Sequence, residues 1–151
     1  MDLLKEKYII LELIPTSLNP DKGLIVQISA LKLDGLLLLD RFDYRLNEKY
    51  IPYDSMKEMF SYDKDNFTYR DTKEELLKEF QSWTDNLPIL IIDDKYTANY
   101  LNDFSNSLFQ ITEFLNIPYS DDLIEKLISK YQLEPSNYIV DLLYEALIKE
   151  L

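Results

Sequence analysis

Apolar residues recur along this chain in two rhythms. From Tyr8 to Ile14 they run almost unbroken, interrupted only by Glu12, as in a strand buried on both faces. Leu24–Leu33 alternates instead, with Gln27, Ser29 and Lys32 among Ile, Val and Leu. A turn-rich segment from Pro15 to Gly23 separates the two. Asp34-Gly35 is a hairpin signal leading into a third run, Leu36–Leu46, which alternates in its second half around Asp40, Asp43 and Arg45. The pattern predicts an antiparallel meander of strands built around Tyr8–Leu33.

Helical spacing takes over later. Asn47–Asp71 reads as an irregular connection, with a short helix over Met56–Tyr62 and with Phe60 and Phe67 pinning it to the core. Thr72 and Glu75 form a capping box that opens a helix over Thr72–Thr84, its inner stripe Leu76, Leu77, Phe80 and Trp83. Asn86-Leu87-Pro88 ends that helix, and Ile89–Ile92 is a short buried strand. Thr97–Asn116 carries the strongest helical pattern, with Leu101, Phe104, Leu108, Ile111 and Leu115 at alternating intervals of three and four. Ser120 reads as the cap of a helix over Asp121–Tyr131. Glu134–Asn137 opens a last helix to about Glu150, with Ile139, Leu142, Leu143, Ala146 and Leu147 as its apolar face.

Composition narrows the chemistry. The chain has 151 residues, enough for one domain with a core that needs no staples. It contains no Cys, which removes disulfides and thiolate metal sites and fits a reducing, cytoplasmic setting. It contains no His, which excludes Ser-His-Asp triads and zinc-protease motifs. With only 2 Gly there is no phosphate-cradling loop. The net charge of −12 is the wrong sign for gripping phosphates through a basic surface and favours basic partners. No apolar run is long enough to span a membrane, and Met1–Lys7 lacks a signal-peptide pattern. The 12 Tyr residues are expected mostly to pack with their hydroxyls at the rim.

The first two strands also resemble the opening motif of the DEDDh-type (DnaQ-like) 3′–5′ exonucleases. That family runs a strand ending in Asp-x-Glu into Thr-Thr-Gly-Leu, an Asn-Pro turn and Ile-Ile-x-Ile-x-Ala-x-Lys. Leu18-Asn19-Pro20 and Ile25–Lys32 follow it closely. Asp40-Arg41-Phe42, Leu46-Asn47 and Ile51-Pro52 match the segments that come next in the family. Tyr96, Tyr100 and Leu101 match its second motif, His-Asn-x-x-Phe-Asp-x-x-Phe-Leu. The resemblance implies a ribonuclease H-like α/β fold spanning 1–151: a three-stranded antiparallel meander, one or two added parallel strands, and four to five flanking helices. The family's last strand has little room at Tyr119–Leu123, where it is expected.

The resemblance also places the family's functional positions. Glu12 stands where the family has Asp, Ile14 where it has Glu, and Ser17 where it has Gly. Thr97 takes the place of the second motif's metal-binding Asp and suits a helix start. Aligning the third motif, His-x-Ala-x-x-Asp-Ala, on Ala146 puts Asp141 at the Asp and Ser136 at the His, or Asn137 with an offset of one. Neither Ser nor Asn takes a proton at neutral pH as His does. Glu12 and Asp141 are thus the carboxylates left to hold a metal, with Asp93 and Asp94 as replacements or as plain turn and cap residues.

Two-metal hydrolysis needs several carboxylates converging on two cations about 3.5–4 Å apart. The expectation is a domain that keeps the nuclease scaffold without its chemistry. It would need no cofactor, or hold Mg²⁺ or Mn²⁺ if any metal, and serve as a binding or accessory module in nucleic-acid metabolism. A protein is the expected partner, with weak nucleic-acid binding second and no membrane. The alternatives are a divergent active metal-dependent 3′–5′ exonuclease and an acidic decoy of nucleic acid that occupies a basic groove.

Overall fold

β1 (Lys7–Pro15) is a central strand of a six-stranded sheet. In the computed structural model, residues 1–15, 23–47, 49, 67–92, 96–136 and 138–151 are described. The Met56–Tyr62 helix, Phe60, Asn137, Asp93, Asp94 and the Leu18–Pro20 turn lie outside them. The other strands are β2 (Ile25–Asp34), β3 (Leu37–Leu46), β4 (Thr68–Arg70), β5 (Ile89–Ile91) and β6 (Leu108–Gln110). The sheet order is β4-β3-β2-β1-β5-β6. β1, β2 and β3 form the expected antiparallel meander, and β5 and β6 continue it in parallel beyond β1. β4, inside the stretch expected to be irregular, adds in parallel to the far edge of β3.

Both faces of β1 are covered, which explains its unbroken apolar run. Tyr8 and Ile10 pack with Leu31 and Leu33 against α3 (Ile111–Leu115), α4 (Leu123–Tyr131) and α5 (Ile139–Glu150). Ile9, Leu11 and Leu13 pack with Ile28, Ala30 and Phe42 against α1 (Lys73–Trp83) and α2 (Thr97–Tyr100). The result is a three-layered α/β sandwich of ribonuclease H-like type.

Local chemistry sets the boundaries. Thr72 Oγ1 accepts from the Glu75 amide at 3.1 Å, a cap of the kind worth about 1 kcal/mol. Leu76 and Phe80 are buried, while Leu77 and Trp83 are half-buried at the flank of the core. Asp85 and Asn86 adopt left-handed backbone (φ 51° and 59°), which short polar side chains tolerate, and turn α1 into β5. Gly35 is left-handed in the β2–β3 hairpin (φ 59°).

The long helix expected over Thr97–Asn116 does not form. α2 stops at Tyr100, β6 intervenes at Leu108–Gln110, and α3 follows directly. The apolar spacing of three and four is also what two short helical turns flanking a strand present. The polar Ser105-Asn106-Ser107 breaks the run, and Asn106 Nδ2 donates to Leu87 O (2.8 Å) and Thr84 Oγ1 (3.0 Å). Those bonds fix the turn beside the start of β5, so β6 gains a full ladder, Ile89 to Leu108 through Ile91 to Gln110. A second parallel strand is therefore present, earlier in the chain than the Tyr119 region where the resemblance puts the family's last strand. Ser120 differs too: its hydroxyl donates to Asp122 Oδ1 (2.7 Å), and α4 begins at Leu123 without a side-chain cap.

Candidate functional site

The meander's register lays out one polar patch on the face under α5. Directly paired residues point to the same side of a sheet. Three rows follow: Ile14–Gln27–Arg45, Glu12–Ser29–Asp43 and Ile10–Leu31–Arg41. Polar residues thus replace apolar ones toward the end of β1, beside the first turn of α5.

Glu12 is 5% exposed and lies in the central row. Ile14, at the position of the family's second carboxylate, is half-buried and packs with the core cluster on the α1 side, next to the register shift between Ile14 and Pro15, unlike its row partners. The two other members of its row are Gln27 and Arg45, respectively 0% and 1% exposed. Arg45 Nε donates to Gln27 Oε1 (2.9 Å), and Gln27 Nε2 donates to Ser29 Oγ (3.0 Å). The Arg45 guanidinium also sits 3.8 Å from the centre of the Phe67 ring. These partners offset part of the cost of burying a guanidinium.

Asp141 stands in the first turn of α5, where an acid suits the helix dipole. Arg41 reaches it from β3, Nη1 to Oδ1 at 2.6 Å and Nη2 to Oδ2 at 3.4 Å. Arg41 Nε also donates to Asp43 Oδ2 (3.1 Å). Burial alone would lower the Arg41 pKa, but its bonds and charge interactions with Asp141 and Asp43 outweigh that and hold it above the ordinary arginine value. The remaining oxygen, Asp43 Oδ1, is buried and accepts no hydrogen bond among the described residues. Arg41, Asp43, Tyr138 and Asp141 line a cavity of about 340 Å³.

The other expected positions are scattered. Ser136 is exposed, and its hydroxyl accepts from the Tyr138 amide (3.1 Å), so it serves the entry to α5. Thr97 is buried (2% exposed) and is the first residue of α2, whose N-cap is Tyr96 with no side-chain cap bond. Glu12 and Asp141 share a sheet face but not a contact row. Glu12 and Asp43 are two strands apart, roughly 10 Å between backbones. Arg41, Asp43, Arg45, Gln27 and Ser29 were not picked out as site residues from the sequence. Their shared parity on β2 and β3 was the available signal.

Divalent cations, implied by the family resemblance, can be tested against these donors. Among the described residues, no three Asp or Glu side chains stand close enough to hold one ion. The donors that do meet, Asp43 and Asp141, already share the Arg41 guanidinium. The described residues therefore do not fit a metal-loaded centre.

The opposite face holds a larger groove of about 670 Å³ between α1 and the β3 edge. Phe42 and Tyr44 stack there with ring centres 3.9 Å apart, and Trp83 Nε1 donates to Asp40 Oδ2 (2.9 Å). Arg70, tied to Glu79 at 2.8 Å, closes one end. Among the described residues no helix is long and apolar enough to cross a membrane.

Comparison with solved structures supports the architecture. The chain is similar to product-bound exonuclease I, with a TM-score of 0.58 at 14% identity, over 96% of this chain and 42% of that one. It is similar to the zinc-bound E. coli exonuclease I–ssDNA complex, with a TM-score of 0.58 at 15% identity over 97% and 40%. It is also similar to a complex of exonuclease I with SSB-Ct, with a TM-score of 0.56 at 14% identity over 97% and 41%. At such identities the likeness establishes the fold, and the chain spans about two fifths of the length of these proteins. No family model matches the sequence, and no curated protein matches it. The class defined is a fold class: an α/β domain of ribonuclease H-like type, the fold shared with these exonuclease I structures.

Proposed function

We propose that this exonuclease-like domain binds rather than cuts, as a catalytically degenerate accessory module of nucleic-acid metabolism whose main partner is a protein. One observation carries the reading: Asp141, the acid at the family's last metal position, is taken up by the Arg41 fork at 2.6 and 3.4 Å. A guanidinium bound through two donors is a strong competitor for a carboxylate. The rest of the catalytic set is replaced in kind. Ile14 offers no oxygen, Thr97 and Ser136 offer neutral hydroxyls, and the chain has no His to activate water. The net charge of −12 favours a basic protein surface over bare phosphate backbone. Of the similar proteins, one is in complex with ssDNA and another with SSB-Ct, and this supports weighing both kinds of partner.

The test is hydrolysis of 3′-labelled single- and double-stranded DNA and RNA with Mg²⁺ or Mn²⁺. The expected result is no degradation above that of a Glu12→Ala/Asp141→Ala double variant. Metal-dependent 3′–5′ degradation that disappears in that variant would overturn the reading. It would favour a divergent active nuclease that recruits further acids such as Asp93 or Asp94.

A further inference from the structure

We infer that the guanidinium groups of Arg41 and Arg45 supply the positive charge that divalent cations supply at a carboxylate-lined nuclease centre. On this inference α5 is fastened to the sheet without metal. The inference rests on the proposed reading of the domain and names what replaces the lost centre.

A continuous string of contacts supports it. Asp141 in the first turn of α5 holds Arg41, and the Arg41 guanidinium lies 5.5 Å from the centre of the Tyr138 ring. Tyr138 stacks on Phe67 with 6.2 Å between centres and 17° between planes. Phe67 lies under Arg45, and Arg45 continues through Gln27 to Ser29. Two stacked rings, Tyr138 and Phe67, stand between the two guanidinium groups. The string joins α5 and its N-cap Tyr138, β3, the residue before β4, and β2.

The electrostatics run the same way. Glu12 and Asp43, on one face of the sheet and largely buried, need positive charge nearby, and the half-exposed Asp141 of α5 adds a third negative charge beside Arg41. Arg45 at 1% exposure is an expensive cation to bury, and on a face of carboxylates that cost is offset. Arg41 bridges Asp43 of the sheet and Asp141 of the helix with one planar group, as a shared cation would. A guanidinium placed there excludes a metal from those two carboxylates by charge and by volume.

Manganese binding tests this on the full chain, read by the electron paramagnetic resonance of free Mn²⁺. The unaltered chain is expected to leave Mn²⁺ free and to melt at the same temperature in Mn²⁺ and in chelator. Arg41→Gln releases Asp43 and Asp141, and Mn²⁺ binding should tighten by about tenfold or more, with a matching rise in melting temperature. Adding Asp141→Asn to Arg41→Gln should abolish that gain. Equal Mn²⁺ titrations of the unaltered chain and Arg41→Gln would overturn the inference. If Arg41→Gln does not fold, the unaltered chain decides alone: equal melting in Mn²⁺ and chelator supports the inference, and a higher melting point in Mn²⁺ overturns it. The nuclease assay stays independent. Hydrolysis overturns the proposed function, whereas tight Mn²⁺ binding by the unaltered chain without hydrolysis overturns only this inference.

Discussion

Arg41 and Asp141 lie a hundred positions apart in the chain and meet through two hydrogen bonds, joining the exposed side of β3 to the start of the last helix. Their side chains are 36% and 32% exposed, so water screens the pair in part. A double-mutant cycle of Arg41→Ala and Asp141→Ala should return a coupling of roughly 0.5–1 kcal/mol in urea unfolding, at the upper end for partly exposed pairs. The coupling should shrink in high salt. A coupling of zero would mean that Asp141 is not committed to Arg41 in solution.

Arg45 tests the interior counterpart. Its guanidinium is buried, bonded to Gln27 and laid on Phe67. Arg45→Ala removes that charge and leaves the Gln27 carbonyl oxygen without this donor, at a cost of about 3 kcal/mol or more. Arg45→Met keeps the length of the side chain without its charge and should recover part of the packing loss. Unfolding midpoints that leave Arg45→Ala within experimental error of the parent would show that the network is dispensable.

The contrast between these arginines also shows why the scaffold could be read from sequence more fully than the site. Tyr8–Ile14, Leu24–Leu33 and Leu36–Leu46 announced a meander because burial on one or both faces leaves a period in the residue types. Arg41 and Arg45 alternate with Phe42 and Tyr44 in the same way whether their face meets water or a carboxylate patch. Only the register, which aligns Arg45 with Gln27 and Asp43 with Ser29, separates the two cases, and register is a tertiary fact. Leu108-Phe109-Gln110 was read as helix for a related reason. Three residues are too few to display a strand's period, and the parallel ladder with β5 that decides the matter is remote in sequence.

Gly35 offers a test of the hairpin that sets that register. Its φ of 59° is left-handed, and a Cβ there would stand 2.9 Å from Leu4 O. Its own carbonyl accepts from the Tyr8 hydroxyl at 2.8 Å. Gly35→Ala should therefore destabilise by about 1–2 kcal/mol from backbone strain alone, with more from the contact with Leu4. Tyr8→Phe should cost about 1 kcal/mol by removing the hydroxyl's bond. Burial, and then the charge of Tyr144, raise the Tyr8 phenol to about 12. Alkaline titration followed by tyrosinate absorbance should accordingly lose one late-titrating group in Tyr8→Phe. If both variants unfold with the parent's midpoint, the hairpin is not held as described.

Acid should loosen the far end of α5. Glu150 Oε2 accepts from the Tyr131 hydroxyl at 2.6 Å, and Oε1 accepts from Asn116 Nδ2 at 2.8 Å. The Tyr131 bond first, then that of Asn116, and Lys130 more weakly, hold the Glu150 carboxyl below its ordinary value of 4.5. A carboxyl depressed in the folded chain binds fewer protons there than in the unfolded chain. Its contribution is therefore complete above the ordinary value and is lost as pH falls through the depressed one. At neutral pH, Glu150→Gln should unfold at lower urea than the parent. The difference should begin to shrink below about pH 4.5 and vanish only once pH has fallen through the depressed value, where the parent's carboxyl is neutral as well. Asn116→Ala should shift the parent's acid transition upward in pH, since it removes one of the bonds that favour the charged form. A difference between parent and Glu150→Gln that stays constant from neutral to acid pH would show that the carboxylate is not held in this triad, and that α5 is closed at its C-terminal end by packing alone.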